Sequence, residues 1–119
     1  MMSGKGRMEN VGEKSGVRIM KVIGDFTAYT TPDFQHVCRK VDKSANLKGL
    51  AIDMKDLSRI DTSAFACMMN FIKENMADGL KIGIFNAGEK EKNMMELLGI
   101  GDAIRIYDSM EEAVEAMSG

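Results

Sequence analysis

The chain has 119 residues, 45% apolar and 29% charged, with a net charge of −2. That length supports one hydrophobic core and does not comfortably supply two. The near-balanced charge excludes the basic excess of a direct nucleic-acid binder, and no stretch approaches the length of a membrane span.

Met1 to Arg7 is small, polar and terminal, so residues 1–7 are read as a flexible N-terminus and 8–119 as a single domain. No basic-then-apolar signal peptide opens the chain. Its two cysteines, Cys38 and Cys67, lie inside apolar helical patterns without metal-type spacing. They read as small buried hydrophobes in a reducing compartment, which points to the cytoplasm. Most of the twelve methionines are expected to fill gaps in the core.

In chain order, Met8 to Val11 predicts a short strand and Gly12 to Gly16 a turn. Val17 to Ile23 is β-branched and alternates in part, a second strand that completes an N-terminal hairpin. Gly24-Asp25-Phe26 is read as the exit from that strand. Thr31, Pro32 and Asp33 then form a helix start, with Phe34, Val37, Cys38 and Val41 on one face. Leu50 to Met54 is an apolar run that reads as a buried strand, followed by a polar loop from Lys55 to Arg59.

Asp61, Thr62 and Ser63 stand directly before the next helical pattern. Their side-chain oxygens suit the unpaired N–H groups of a first turn, and that end of a helix also favours a phosphate. One of the two hydroxyls is expected to cap the helix and the other to be accessible. Phe65, Met69, Ile72 and Met76 form the helix stripe, widened by Met68 and Phe71. Such a face ordinarily goes to the core; the competing reading exposes Met68 or its neighbours to a partner. Asp78-Gly79 ends the helix.

Leu80 to Phe85 is the next strand, Asn86-Ala87-Gly88 a turn, and Lys90 to Leu98 a short helix stopped at Gly99. Ala103 to Tyr107 is a last short strand. Ser109 and Glu112 have capping-box spacing ahead of a final helix with Met110, Ala113, Val114 and Met117 apolar. Alternation after an opening hairpin implies an α/β sandwich with a mostly parallel central sheet and four helices.

Catalytic and cofactor signatures find no support. Gly24 to Pro32 lies between a strand and a helix, where a phosphate-cradling loop would sit, but contains one glycine. Gly99-Ile100-Gly101 follows a helix, the wrong place. His36 is the sole histidine, and nothing around it suggests an activated nucleophile. Glu111-Glu112 reads as a solvated helix face. The expectation is a non-enzymatic protein with no cofactor and no metal.

At Asp61-Thr62-Ser63-Ala64-Phe65 the sequence resembles the STAS domain, the fold of bacterial anti-sigma factor antagonists. The likeness extends over Gly24-Asp25-Phe26, over Leu50 to Met54 with Leu57 and Ile60, and over Met95 to Ile100. It implies a STAS-like sandwich and a binding function. In that family the loop's second hydroxyl, here Ser63, is phosphorylated by a partner that is both an anti-sigma factor and an ATP-dependent serine kinase. The unphosphorylated antagonist binds that partner and frees the sigma factor; phosphorylation releases it, and a phosphatase resets the switch. The resemblance assigns the partner surface to Asp25, Asp61, Thr62, Ser63 and Ala64, with Met68 added from the helix face. Ala64 stands where the family usually has glycine, and Thr27 where many members have aspartate. Other STAS proteins are non-switching scaffolds in stress-sensing assemblies or accessory subunits of lipid transporters; the tails of anion transporters are excluded by the lack of a membrane segment.

A phosphate on Ser63 adds about −1.5 to −2 charges at pH 7. The helix start tolerates it, so its effect falls on the partner surface. Asp61 is expected to make that region more negative, joined by Asp25 and Asp56.

Overall fold

The computed structural model describes residues 6–26, 47–76, 80–99 and 104–119, and within the helix that starts at Thr62 it places side chains as far as Met68, together with Asn70. The expected helix after Pro32, with His36 and Cys38, lies outside the described residues, as does Thr27.

The elements are β1 (Arg7–Lys14), β2 (Val17–Phe26), β3 (Gly49–Asp53), β4 (Leu57–Ile60), α1 (Thr62–Met76), β5 (Lys81–Phe85), α2 (Glu89–Leu97), β6 (Arg105–Tyr107) and α3 (Met110–Ser118). Among the described residues six strands form one sheet in the order β1-β2-β3-β5-β6, with β4 also paired to β2. The β1–β2 pair is antiparallel and every other pair is parallel. The mostly parallel α/β sandwich with an N-terminal hairpin is therefore as the sequence predicts.

The hairpin is longer and tighter than expected. Only Ser15 and Gly16 form the turn, with φ of 53° and 82°, and Lys14 pairs with Val17. Positive φ at both turn residues matches the right-handed twist of the strands it joins. The chain around Gly12 belongs to β1, where the register shifts between Asn10 and Gly12. β1 begins at Arg7, one residue ahead of the expected strand, and Gly6 lies against the backbone of Asp25, where a Cβ would collide.

Two sequence readings are corrected at the far end of β2. Gly24-Asp25-Phe26 does not leave the strand but continues it, and Leu57 to Arg59, the last part of the expected loop, joins Ile60 in β4, paired to those three residues. A register shift after Gly24, whose φ is 85°, accommodates Ser58. β2 thus borders β3 along its first half and β4 along its last three residues.

Alternation along the central strands divides the core between two faces. Met20, Val22 and Phe26 of β2, Leu50 and Ile52 of β3, and Ile82 and Ile84 of β5 point to one side, with Ile60, Ala64, Phe65, Met68 and Met95. Val17, Ile19, Ala51 and Phe85 point to the other, where Ala113 and Met117 of α3 cover them. α1 and α2 therefore cover one face of the sheet and α3 the other. α3 starts on the expected cap, Ser109 Oγ accepting the N–H of Glu112 at 3.1 Å. Lys48 and Lys81 donate to the carbonyl oxygens of Ser118 and Gly119 at its other end, at 3.1 and 3.3 Å.

Candidate functional site

The ends of β2 and β4 and the start of α1 meet at the C-terminal edge of the parallel strands, the edge where α/β sheets usually carry their ligands. Ile60 ends β4 opposite Phe26. One residue on, the N–H of Asp61 donates to the carbonyl of Phe26 at 3.1 Å, so the loop is tied to the sheet before the helix begins.

Asp61 caps α1. Its Oδ1 accepts the N–H of Ala64 at 2.7 Å, and its carbonyl accepts the N–H of Phe65 at 3.0 Å, the first bond of the helix. The expectation that a hydroxyl would cap is therefore corrected. Thr62 and Ser63 are the first two helical residues; both are exposed, and neither side chain hydrogen-bonds to another described residue.

The cap also sets which face of α1 turns inward. Ala64, Phe65 and Met68 are buried, Met68 to 3%. Met68 is therefore not an exposed partner contact, as the site reading had it, but part of the core. Ala64, placed in the partner loop from the sequence, sits in the helix with its methyl group buried. The outward face carries Thr62, Ser63, Ala66 and Asn70, with Cys67 half-buried. Ala66 and Asn70 carry no mark in the sequence reading, although they recur at helical spacing from Ser63, and Cys67, expected to be buried, is half-exposed beside them.

Asp25 is half-buried and lies opposite Arg59 in the β2–β4 register, which brings it to the same edge as Asp61, Thr62 and Ser63. Asp56, expected to add negative charge, instead forms an ion pair with Lys21, Oδ2 to Nζ 2.7 Å. The hydrogen bond to Lys21, reinforced by its charge, lowers the Asp56 pKa, and the same hydrogen bond and charge raise that of Lys21. The carbonyl of Asp56 accepts the N–H of Gly24 at 3.1 Å, fixing this turn to β2. Asp53 Oδ1 accepts from the N–H of Lys55 at 2.9 Å and from Asn86 Nδ2 at 3.0 Å, tying the β3–β4 turn to the one after β5.

Beside the loop lies a shallow depression of about 440 Å³, lined by Arg59, Ile60, Asp61, Thr62, Lys90 and Met94. Arg59 and Lys90 carry no local sequence signal; topology brings them together. Among the described residues no group of three or more His, Cys, Asp or Glu side chains is placed to hold a metal ion, and no helix is long and apolar enough to cross a membrane.

This architecture, with an exposed hydroxyl pair at the head of the helix after β4, is that of an α/β domain built on a mixed, mostly parallel sheet. The chain belongs to the STAS domain family, whose model matches residues 10–113. Solved structures repeat the fold. An anti-sigma factor antagonist from Mycobacterium paratuberculosis superposes with a TM-score of 0.77 at 15% identity, over 94% of this chain and 95% of that one. The anti-sigma factor antagonist SpoIIAA in its unphosphorylated form gives 0.72 at 13% identity, over 94% and 95%. The murine Slc26a9 anion transporter gives 0.75 at 18% identity, over 89% of this chain and 18% of that far longer one. At such identities the likeness is one of fold.

Proposed function

We propose that the chain is a cytoplasmic anti-sigma factor antagonist, switched by phosphorylation of Ser63. Its partner is an anti-sigma factor that is also an ATP-dependent serine kinase, with a phosphatase to reset the switch and no direct contact with nucleic acid. One observation carries the reading: Asp61 supplies the cap of α1, which leaves the Ser63 hydroxyl exposed and uncommitted in the first turn. The contact surface is Asp25, Asp61, Thr62 and Ser63, continued along α1 by Ala66, Cys67 and Asn70. On the outward face of α1, Ser63, Ala66 and Cys67 are small, so a partner surface can approach closely. A phosphoryl group there brings about −1.5 to −2 charges to an edge that already holds Asp25 and Asp61. One lost contact plus repulsion, together about 3 kcal/mol, weakens binding roughly a hundredfold.

The test is a capture experiment from lysate of the native host with three baits: the unmodified sequence, Ser63→Ala and Ser63→Glu. The first two are expected to retain one small ATPase-type kinase and the third to lose it. Equal capture by Ser63→Ala and Ser63→Glu would sink the switch. The fold likeness to the anion transporter supports a second reading, a STAS domain that serves as a constant accessory or scaffold module. That reading predicts one set of partners, indifferent to both substitutions.

A further inference from the structure

β1 is the outer strand on one side of the sheet, and no described strand pairs with its outer edge. Such an edge presents a row of unpaired N–H and C=O groups that another strand can use. The opposite edge, β6, is three residues long, whereas β1 runs for eight. The second half of β1 is unsuited to pairing. The register shift after Asn10 bulges the strand at Val11, and the N–H of Gly12, whose φ is 139°, turns to Asn10 Oδ1 at 3.0 Å. A bulge of this kind bends an edge away from a second strand. Arg7 to Asn10, by contrast, stay in unbroken register with Ile23 to Met20 of β2. Within this stretch Arg7 and Glu9 share one face of the sheet and form an ion pair, Nε to Oε1 3.1 Å, with both side chains more than half exposed. Met8 between them is half-buried on the other face, against the core.

We propose that the occupant of this edge is a second copy of the chain, joined by antiparallel pairing of β1 with β1 about a two-fold axis at Met8. The charges single out that register. A two-fold axis perpendicular to the sheet keeps each face with its counterpart, so residues opposite each other must point to the same side. Centred on Met8, the pairing sets Arg7 of each copy opposite Glu9 of the other, and the four side chains close a ring of alternating charge. Centred one residue earlier, Arg7 meets Arg7; one residue later, Glu9 meets Glu9, and like charges directly opposite are destabilising. Lys21, the neighbour of Glu9 on β2, is already held by Asp56 at 2.7 Å. On the other face Met8 meets its counterpart at the axis and adds apolar contact. So short a stretch buries less than the roughly 1,000 Å² of a stable interface, so the dimer is weak and forms with rising concentration. It is separate from the switch, because β4, which leads into the helix of Ser63, pairs with the other side of β2.

The test is sedimentation equilibrium of the full chain at concentrations from about 10 μM to about 1 mM. The unsubstituted chain is expected to pass from monomer towards dimer across that range. Arg7→Glu leaves two acids at the pairing positions and Glu9→Arg leaves two bases, and each alone is expected to weaken association at least about tenfold. Both sites are more than half exposed, so the fold is expected to hold, which circular dichroism checks. An equimolar mixture of the two variants is expected to restore the dimer, because each position then meets its opposite charge. The double substitution Arg7→Glu, Glu9→Arg is expected to restore it within one chain. A chain that stays monomeric throughout overturns the proposal and leaves the edge to a strand of another protein. A dimer indifferent to both single substitutions has its interface elsewhere and overturns the proposal equally. Loss in both single variants without recovery in their mixture overturns the register centred on Met8.

Discussion

The carboxylate of Asp61 holds the N–H of Ala64 at 2.7 Å, and this bond assigns the roles of the whole loop. It satisfies a first-turn donor that a hydroxyl would otherwise have served, so Thr62 and Ser63 remain chemically available. Asp61→Ala is expected to cost about 1 kcal/mol, lowering Tm by about 4 °C, with Asp61→Ser recovering most of it. Ser63→Ala, by contrast, is expected to shift stability by less than about 0.5 kcal/mol, because that hydroxyl does no capping. Thermal melts of the three variants check this. A loss at Ser63→Ala as large as at Asp61→Ala would mean that the hydroxyl shares the cap.

Met68 makes the opposite case. Its side chain lies in the core with Ile60, Ala64 and Phe65, so its substitution acts through stability. Met68→Ala is expected to cost about 2–4 kcal/mol, and Met68→Leu, which keeps the volume, less than about 1.5 kcal/mol. Urea denaturation measures both. The leucine variant is expected to bind the captured partner as the unsubstituted chain does; a selective loss of binding in a fully folded Met68→Leu would return this residue to the interface.

Why the sequence yielded Phe65 as core, yet placed Met68 on the partner surface, lies in the phase of α1. Apolar residues occur well beyond one narrow face of that helix, so periodicity alone leaves its rotation about the axis open. The rotation is fixed by where β4 ends and Asp61 binds Phe26, a non-local fact. β4 itself was illegible for a related reason. Leu57-Ser58-Arg59-Ile60 is too short to show alternation, and its partner, Gly24 to Phe26, is remote in sequence. Features governed by neighbouring residues were legible: the hairpin turn around Gly16, the buried run of β3, the cap at Ser109 and the stop at Gly99, whose φ is 68°. Asp25, Asp61, Thr62 and Ser63 come to one edge of the sheet. Lys90 joins that edge only through the sheet order.

Tyr107 fills the space that Gly83 leaves open. A Cβ at position 83 would stand 2.5 Å from Cε2 and 3.0 Å from Cδ2 of that ring, on the sheet face covered by α3. Gly83→Ala is therefore expected to destabilise by about 1–3 kcal/mol through overpacking. Combined with Tyr107→Leu, which removes the ring, the two costs are expected to sum to less than their separate values, since the residues are in contact. A double-mutant cycle by urea denaturation reads the coupling directly, and strict additivity would mean that the ring moves aside without cost.

The ion pair of Lys21 and Asp56 gives stability a defined pH window. Asp56, lowered from 3.8 by the hydrogen bond to Lys21, contributes above that value and loses its contribution as pH falls through the lowered one. Lys21, raised from 10.5 by the hydrogen bond to Asp56, contributes below that value and loses its contribution as pH rises through the raised one. Comparing urea midpoints of the unsubstituted chain and Asp56→Asn isolates the pair. The difference is expected to be level from about pH 5 to pH 9 and to shrink on either side. Both side chains are partly exposed, so the level difference is expected to be small and to fall further in 1 M salt. A difference that persists unchanged at pH 2 would assign it to an effect of the substitution other than the lost charge, since the backbone bond between Asp56 and Gly24 is kept by both chains and cancels.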